Sequence, residues 1–368
     1  MSSEFEIKSK KLIELLDRAR LDGILYSERA NFAWITCGRD NHIPNNTSLG
    51  VASLLFTKTE RVCLTSNIEQ PRMEFEELSG LGIKTISYPW YDKLAAQKTI
   101  RDVIGSKRIV CDADPLELGL NQPPPGFLEL RWSLTDAEVT RYREGGRRTN
   151  LAMQSACRDV KVNMSEHEVA GILDSHLRKQ SLNPLVTLIA ADDRIERFRH
   201  PIPTEKKLAR YIMLVTCADY RGLISCMTRF VHFGQPSADL KKNIQAVANV
   251  DAAVILATKP GRRLSEIFAI LQKAYAENGF GDQWKFHHQG GPTGYANREA
   301  IATPDSSLSV LNNQAFAWNP SVPGCKSEDT MIITAQGPQI VTQLSGDWPR
   351  VIGHFQNQTL PRPDMLVI

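Results

Sequence analysis

The sequence predicts an α/β (α+β) protein of two domains, the second built from two similar halves related by a pseudo-two-fold axis. Short apolar runs alternate with helical periodicity in the first third of the chain. A proline-rich break at residues 121–126 (NQPPPG) can continue neither helix nor strand. Beyond that break the chain repeats its own pattern, with Met164-Ser165-Glu166 returning as Leu264-Ser265-Glu266.

Residues 10–20 (KKLIELLDRAR) carry apolar positions at helical spacing, and Gly23 ends that pattern before the run Ile24-Leu25-Tyr26. Residues 51–57 (VASLLFT), 62–65 (VCLT) and 108–111 (RIVC) read as further strands, which makes 1–130 an α/β domain. Thr135 with Glu138, and Ser165 with Glu168, each form a capping box that opens a helix. The first repeat then ends in the runs 211–216 (YIMLVT) and 228–233 (TRFVHF). The second ends in 314–318 (QAFAW) and 329–334 (DTMIIT). These features predict a second domain over 131–350, a cleft between its two sheets and a C-terminal tail over 351–368.

Composition narrows the function. Hydrophobic residues make up 42% and charged residues 23%, and the formal net charge is only +3 over 368 residues. That balance makes no case for nucleic acid or a membrane surface. No apolar run approaches the roughly 18 residues of a membrane span. The start, MSSEFEIKSKK, lacks the apolar core of a secretory signal, so a cytoplasmic location is expected. Seven cysteines form no C-x-x-C pair, so neither a disulfide framework nor a zinc site is expected.

Several motifs together carry a resemblance. Residues 132–138 (WSLTDAE), Arg199-His200-Pro201, Tyr220-x-Gly222 with Thr228-Arg229, Asn319-Pro320 and 327–330 (SEDT) fall in one order and spacing. In this the chain resembles the family of creatinase, prolidase, aminopeptidase P and methionine aminopeptidase, whose catalytic domain has the pita-bread fold. The resemblance implies a creatinase-like N-terminal domain, a homodimer and a small-molecule or short-peptide substrate. It also implies a contact from Arg39 or His42 to a partner's cleft, the alternative being a plain polar surface loop.

The metallopeptidases of that family hold two metal ions with Asp, Asp, His, Glu and Glu. Matched residue by residue, these positions are Val215, Cys226, Gly291, Asn319 and Glu328. A pair of hard divalent ions needs several carboxylates. Only Glu328 supplies one, so no metal and no other cofactor is expected. An Xaa-Pro metallopeptidase with atypical ligands stands as an alternative.

Creatinase hydrolyses a C–N bond on this fold without metal, and its catalytic histidine corresponds to His200. Two carboxylates that creatinase uses correspond to Thr228 and Asn319, so its mechanism cannot be transferred whole. The residues expected in catalysis are His200, Glu328 and His288; Asp329 is a further candidate to replace a lost carboxylate. A Glu328 without metal would have a raised pKa and act as acid or base, or would be a fixed acceptor for Lys326 or Arg229. Strand alternation would turn one of His287 and His288 toward the cleft. Arg298 would bind a substrate carboxylate or pair with Glu299. Gly290 and Gly291 would expose backbone N–H groups or form a structural turn. Cys226 would project into the cleft as a nucleophile paired with His200, or fill space as a buried thiol. The expected activity is metal-independent hydrolysis of a C–N bond in a small amino-acid-like or amide substrate. A non-catalytic peptide-binding protein is the other alternative.

Overall fold

The computed structural model describes residues 3–368. The first two residues of the charged N-terminal segment lie outside the described residues. The chain divides into two compact units, one ending at Arg131 and the other spanning Trp132–Ile368. No helix among the described residues is long and apolar enough to cross a membrane.

In the first unit α1 (Glu4–Ala19) is opened by a capping box from Ser3 and Glu6. It is followed by β1 (Gly23–Glu28), α2 (Arg29–Ile35), β2 (Leu49–Thr57), β3 (Arg61–Ser66) and the short turn α3 (Gln70–Arg72). Next come β4 (Lys84–Tyr88), α4 (Lys93–Ile104) and β5 (Ile109–Cys111). Its five strands form one mixed sheet in the order β4-β3-β2-β1-β5. The strand runs read from sequence are β1, β2, β3 and β5; β4 was not legible, since its lysine, threonine and serine dilute the apolar pattern.

The second unit shows the repeat as structure. A helix pair, α5 (Asp136–Asp159) and α6 (Glu166–Lys179), leads into β6 (Asn183–Ala191), the short α7 (Asp193–Arg197), β7 (Tyr211–Tyr220) and β8 (Leu223–His232). Another pair, α8 (Ala238–Ala257) and α9 (Leu264–Glu277), leads into β9 (Gly290–Thr293) and β10 (Gln314–Trp318). The minor strands β11 (Ser321–Val322) and β12 (Cys325–Lys326) precede β13 (Asp329–Thr334) and β14 (Gly337–Ile340). Both expected capping boxes, Thr135 with Glu138 and Ser165 with Glu168, are present.

Each half thus contributes an antiparallel sheet, β6-β7-β8 and β9-β10-β13-β14. The sheets meet along β8 and β13, where Thr228 N donates to Glu328 O at 3.2 Å. Side-chain alternation makes β7 a shared wall. Its Tyr211, Met213 and Val215 enter one core with α8, α9, β10 and β13, while Ile212 and Leu214 enter another with α5 and α6.

The final residues correct the expectation of a tail over 351–368. A hairpin of β15 (Arg350–Phe355) and β16 (Gln358–Pro363) packs on α8, and β17 (Leu366–Val367) adds a parallel edge to β8. Arg362 inserts its buried guanidinium between Asp251 and Asp329, with contacts of 2.6 and 2.7 Å. Val351, Phe355 and Leu360 pack against the core, but these few apolar positions lie among proline, arginine and polar residues, and the hairpin was not read from the sequence.

Candidate active site

Glu328 precedes β13 and is 2% exposed. Its Oε2 accepts hydrogen bonds from Lys326 Nζ at 2.7 Å and Thr228 Oγ1 at 2.8 Å. Its Oε1 accepts from Arg298 Nη2 at 3.0 Å. Burial alone would raise this carboxyl, but Lys326 and then Arg298 outweigh it and hold it down to about 2. The expected raised pKa is therefore corrected. Glu328 is committed to three donors, as its reading as a fixed acceptor had it, though Arg298 rather than Arg229 reaches the carboxylate.

Arg298 comes from the loop after β9. Its Nη1 lies 3.2 Å from Cys226 Sγ and also reaches Asn297 O, while its buried Nε has no hydrogen-bond partner. Burial opposes its charge; Cys226 and Glu328 more than restore it. It does not pair with Glu299, which accepts from Tyr295 N and Ala296 N. Cys226 and Cys217 are cross-strand partners on β8 and β7. The Cys217 hydrogen bond lowers the Cys226 pKa against burial, with Arg298 assisting. The thiol therefore leans on Cys217 and Arg298, inside a small cluster with Ile224 and Ala317, rather than on the expected imidazole of His200.

The histidines converge. His200 lies in the loop after α7, and His287 and His288 lie between a short helical turn (Gln283–Phe286) and β9. His287 Nε2 is 3.0 Å from His200 Nε2, so one ring donates and the other accepts. Ring centroids are 4.8 Å apart for His200–His287, 5.6 Å for His200–His288 and 4.6 Å for His287–His288. The expectation that one of His287 and His288 turns away is corrected. Both precede β9, so strand alternation does not govern them. His287 is buried and His200 exposed. Burial first, then Lys326, lowers His287 to about 2; burial and Arg298 lower His288 to about 4. His200 is lowered by the same burial and by Lys326. All three shifts run in the same direction, toward the neutral ring.

The positions of the family's metal pair can be tested one by one. Val215 is a core side chain. Gly291 has φ 150°, and a Cβ there would stand 2.5 Å from Ala300 O, so no ligand side chain fits without moving backbone. Asn319 is buried with Oδ1 unpartnered, and Cys226 is engaged as above. At Glu328, Arg298 and Lys326 occupy the carboxylate that would neutralise an ion. The residues present do not fit a two-metal centre.

Gly290 and Gly291 belong to β9, paired with Trp318 and Ala317, and not to an open turn. A Cβ on Gly290 would lie 2.1 Å from Ala317 O, so close strand approach accounts for that glycine. Asp329 is committed to a buried network with Arg229, Arg362 and Thr342, which makes it structural. Arg39 lies in the first unit, in the loop after α2, and is partly exposed. Lys326 was expected only as a partner that would immobilise Glu328, and Cys217 was missed. The i, i+2 spacing of Lys326 and Glu328 is the signal that places both on one side of an extended segment.

Residues 140–335 match the model described as Metallopeptidase family M24. An uncharacterised peptidase of Staphylococcus haemolyticus is 25% identical over 224 residues, covering 58% of this chain and 63% of that relative. The match therefore spans less than two thirds of the relative's length. Among solved structures, an Xaa-Pro dipeptidase from Bacillus anthracis is similar at TM-score 0.76 and 19% identity, over 99% of this chain and 100% of that one. The N-terminal domain of the FACT complex subunit SPT16 from chickpea is similar at TM-score 0.71 and 14% identity, over 93% and 97%. These likenesses show the shared pita-bread fold, and with more than half of the sequence matching the family model, the chain belongs to metallopeptidase family M24.

Proposed function

We propose that the protein is a hydrolase of a C–N bond in a short peptide or small amide, working without a carboxylate-held metal pair. One observation carries this reading: Glu328, the one carboxylate kept from the family's ligand set, is neutralised by the chain's own Arg298 and Lys326. Protein cations stand where ions would have to be held, and three imidazoles lie beside them.

Amide hydrolysis needs a base for the attacking water and an acid for the leaving nitrogen. His200 is reachable from solvent and is hydrogen-bonded to buried His287, which would orient its ring to take the proton of the attacking water. The two cations outnumber the Glu328 charge, and this surplus would stabilise an oxyanion in the buried site. Glu328 would act by fixing both cations, and Thr228 by fixing Glu328. Phe198, Ile202 and Phe286, exposed and close in sequence to the histidines, would offer an apolar rim to a substrate side chain.

The test is turnover of a panel of Xaa-Pro dipeptides, amides and guanidino compounds before and after EDTA dialysis. Hydrolysis should survive EDTA and fall by about 10²–10⁴ in His200→Ala. Hydrolysis that vanishes on chelation and returns with Mn²⁺ or Co²⁺ would support a metallopeptidase instead. Peptide binding without turnover would support a binding protein.

A further inference from the structure

We propose that His200, His287 and His288 form a binding site for one divalent ion of the nitrogen-preferring kind, Zn²⁺ above all, separate from the family's carboxylate positions. The three side chains offer ligand nitrogens that all lie within 4.8 Å of one another. A tetrahedral ion with bonds of about 2.0–2.1 Å holds its donors about 3.3 Å apart. The His200–His287 pair is already at 3.0 Å. Turning the third ring, whose ligand nitrogen lies within 4.8 Å of the other two, would complete the set.

The donor chemistry selects the ion. Three imidazoles and no carboxylate disfavour Mg²⁺, Ca²⁺ and Mn²⁺ and suit Zn²⁺, Co²⁺, Ni²⁺ or Cu²⁺. The side-chain nitrogens His287 Nδ1 and His288 Nδ1 are buried with no hydrogen-bond partner, a standing cost that a metal-bound arrangement can relieve by reorienting the rings. Nearby Lys326 and Arg298 would repel a cation, but both are paired with Glu328, which leaves a surplus of one charge rather than two. His200 is exposed, so the ion could enter from solvent and keep a fourth position for water.

A consequence rests on the hydrolase reading above. A bound ion takes the ring nitrogens that would move the proton, so loading should suppress metal-free turnover. The site would then be inhibitory.

The experiment titrates the full-length, EDTA-dialysed protein with Co²⁺, followed by visible ligand-field absorption, with Zn²⁺ as competitor. One Co²⁺ per chain should bind with a tetrahedral spectrum and be displaced by one Zn²⁺. His200→Gln and His288→Gln should each weaken binding by about a hundredfold. His354→Gln, on the β15 surface, should bind like the parent. Circular dichroism and melting midpoints establish that His200→Gln, an exposed change, remains folded. Absence of stoichiometric uptake, or uptake unchanged in both variants, would overturn the site. So would uptake of two ions lost in Glu328→Gln. Turnover separates the two proposals. Binding with activation keeps the site and ends the metal-free reaction; metal-free turnover without binding ends the site alone.

Discussion

Glu328 and Asp329 are adjacent and equally buried, yet they enter ion networks of different character. Asp329 joins Asp251, Arg229 and Arg362, two anions against two cations, with contacts of 2.6–2.7 Å between them. Glu328 joins Arg298 and Lys326, one anion against two cations, with a cluster of imidazoles nearby. A balanced network ties elements together; an unbalanced one leaves a field for something else to use. The balanced network anchors the C-terminal hairpin to β13 and α8, whereas the other borders the opening at His200.

The largest expected effect breaks the balanced side. Arg362→Met leaves buried Asp251 without a cation and Asp329 with Arg229 alone, and should cost about 3–5 kcal/mol, measured by urea unfolding. Glu328→Gln should cost somewhat less, about 3 kcal/mol, because Thr228 and Cys226 remain beside the stranded cations. Gly291→Ala should cost at least about 2 kcal/mol through contact with the Ala300 carbonyl, and would show that the ligand position cannot regain a side chain. Lys326→Met should cost least, about 1–2 kcal/mol, since Arg298 and Thr228 still satisfy Glu328.

The two networks should also respond oppositely to pH. Glu328 is held near 2 in the folded state, below the ordinary glutamate value of about 4.3. Its stabilisation is present above that ordinary value and is lost as pH falls toward 2. Asp251 is raised by burial despite Arg362. Its contribution is greatest below the ordinary aspartate value and weakens as pH rises through its folded one. Urea midpoints measured across the acid range should show Glu328→Gln flattening the low-pH limb. If that variant keeps the parent's acid sensitivity, the cations do not control Glu328.

Much of the fold was legible because periodicity and capping are local signals. Thr135 with Glu138 and Ser165 with Glu168 announced helix starts, and the runs at 314–318 and 329–334 are strands β10 and β13. The C-terminal hairpin was not, since its stability comes from Arg362 meeting acids distant in sequence. The site divides along the same line. The mismatch with the family's ligand set could be read position by position, but the partners that Glu328 takes instead could not. Arg298 and Lys326 reach Glu328 from different segments, and their joint effect reverses the pKa shift that burial alone predicts. His287 and His288 share one cluster because the strand begins only at Gly290.

The central claim is that protein cations have taken the place of the metal pair at Glu328. Elemental analysis of protein purified without chelator, in parent, Glu328→Gln and His288→Gln forms, tests it most directly. The account predicts no more than one ion per chain, of the zinc class, retained in Glu328→Gln and lost in His288→Gln. Two manganese or cobalt ions per chain that depart in Glu328→Gln would contradict it.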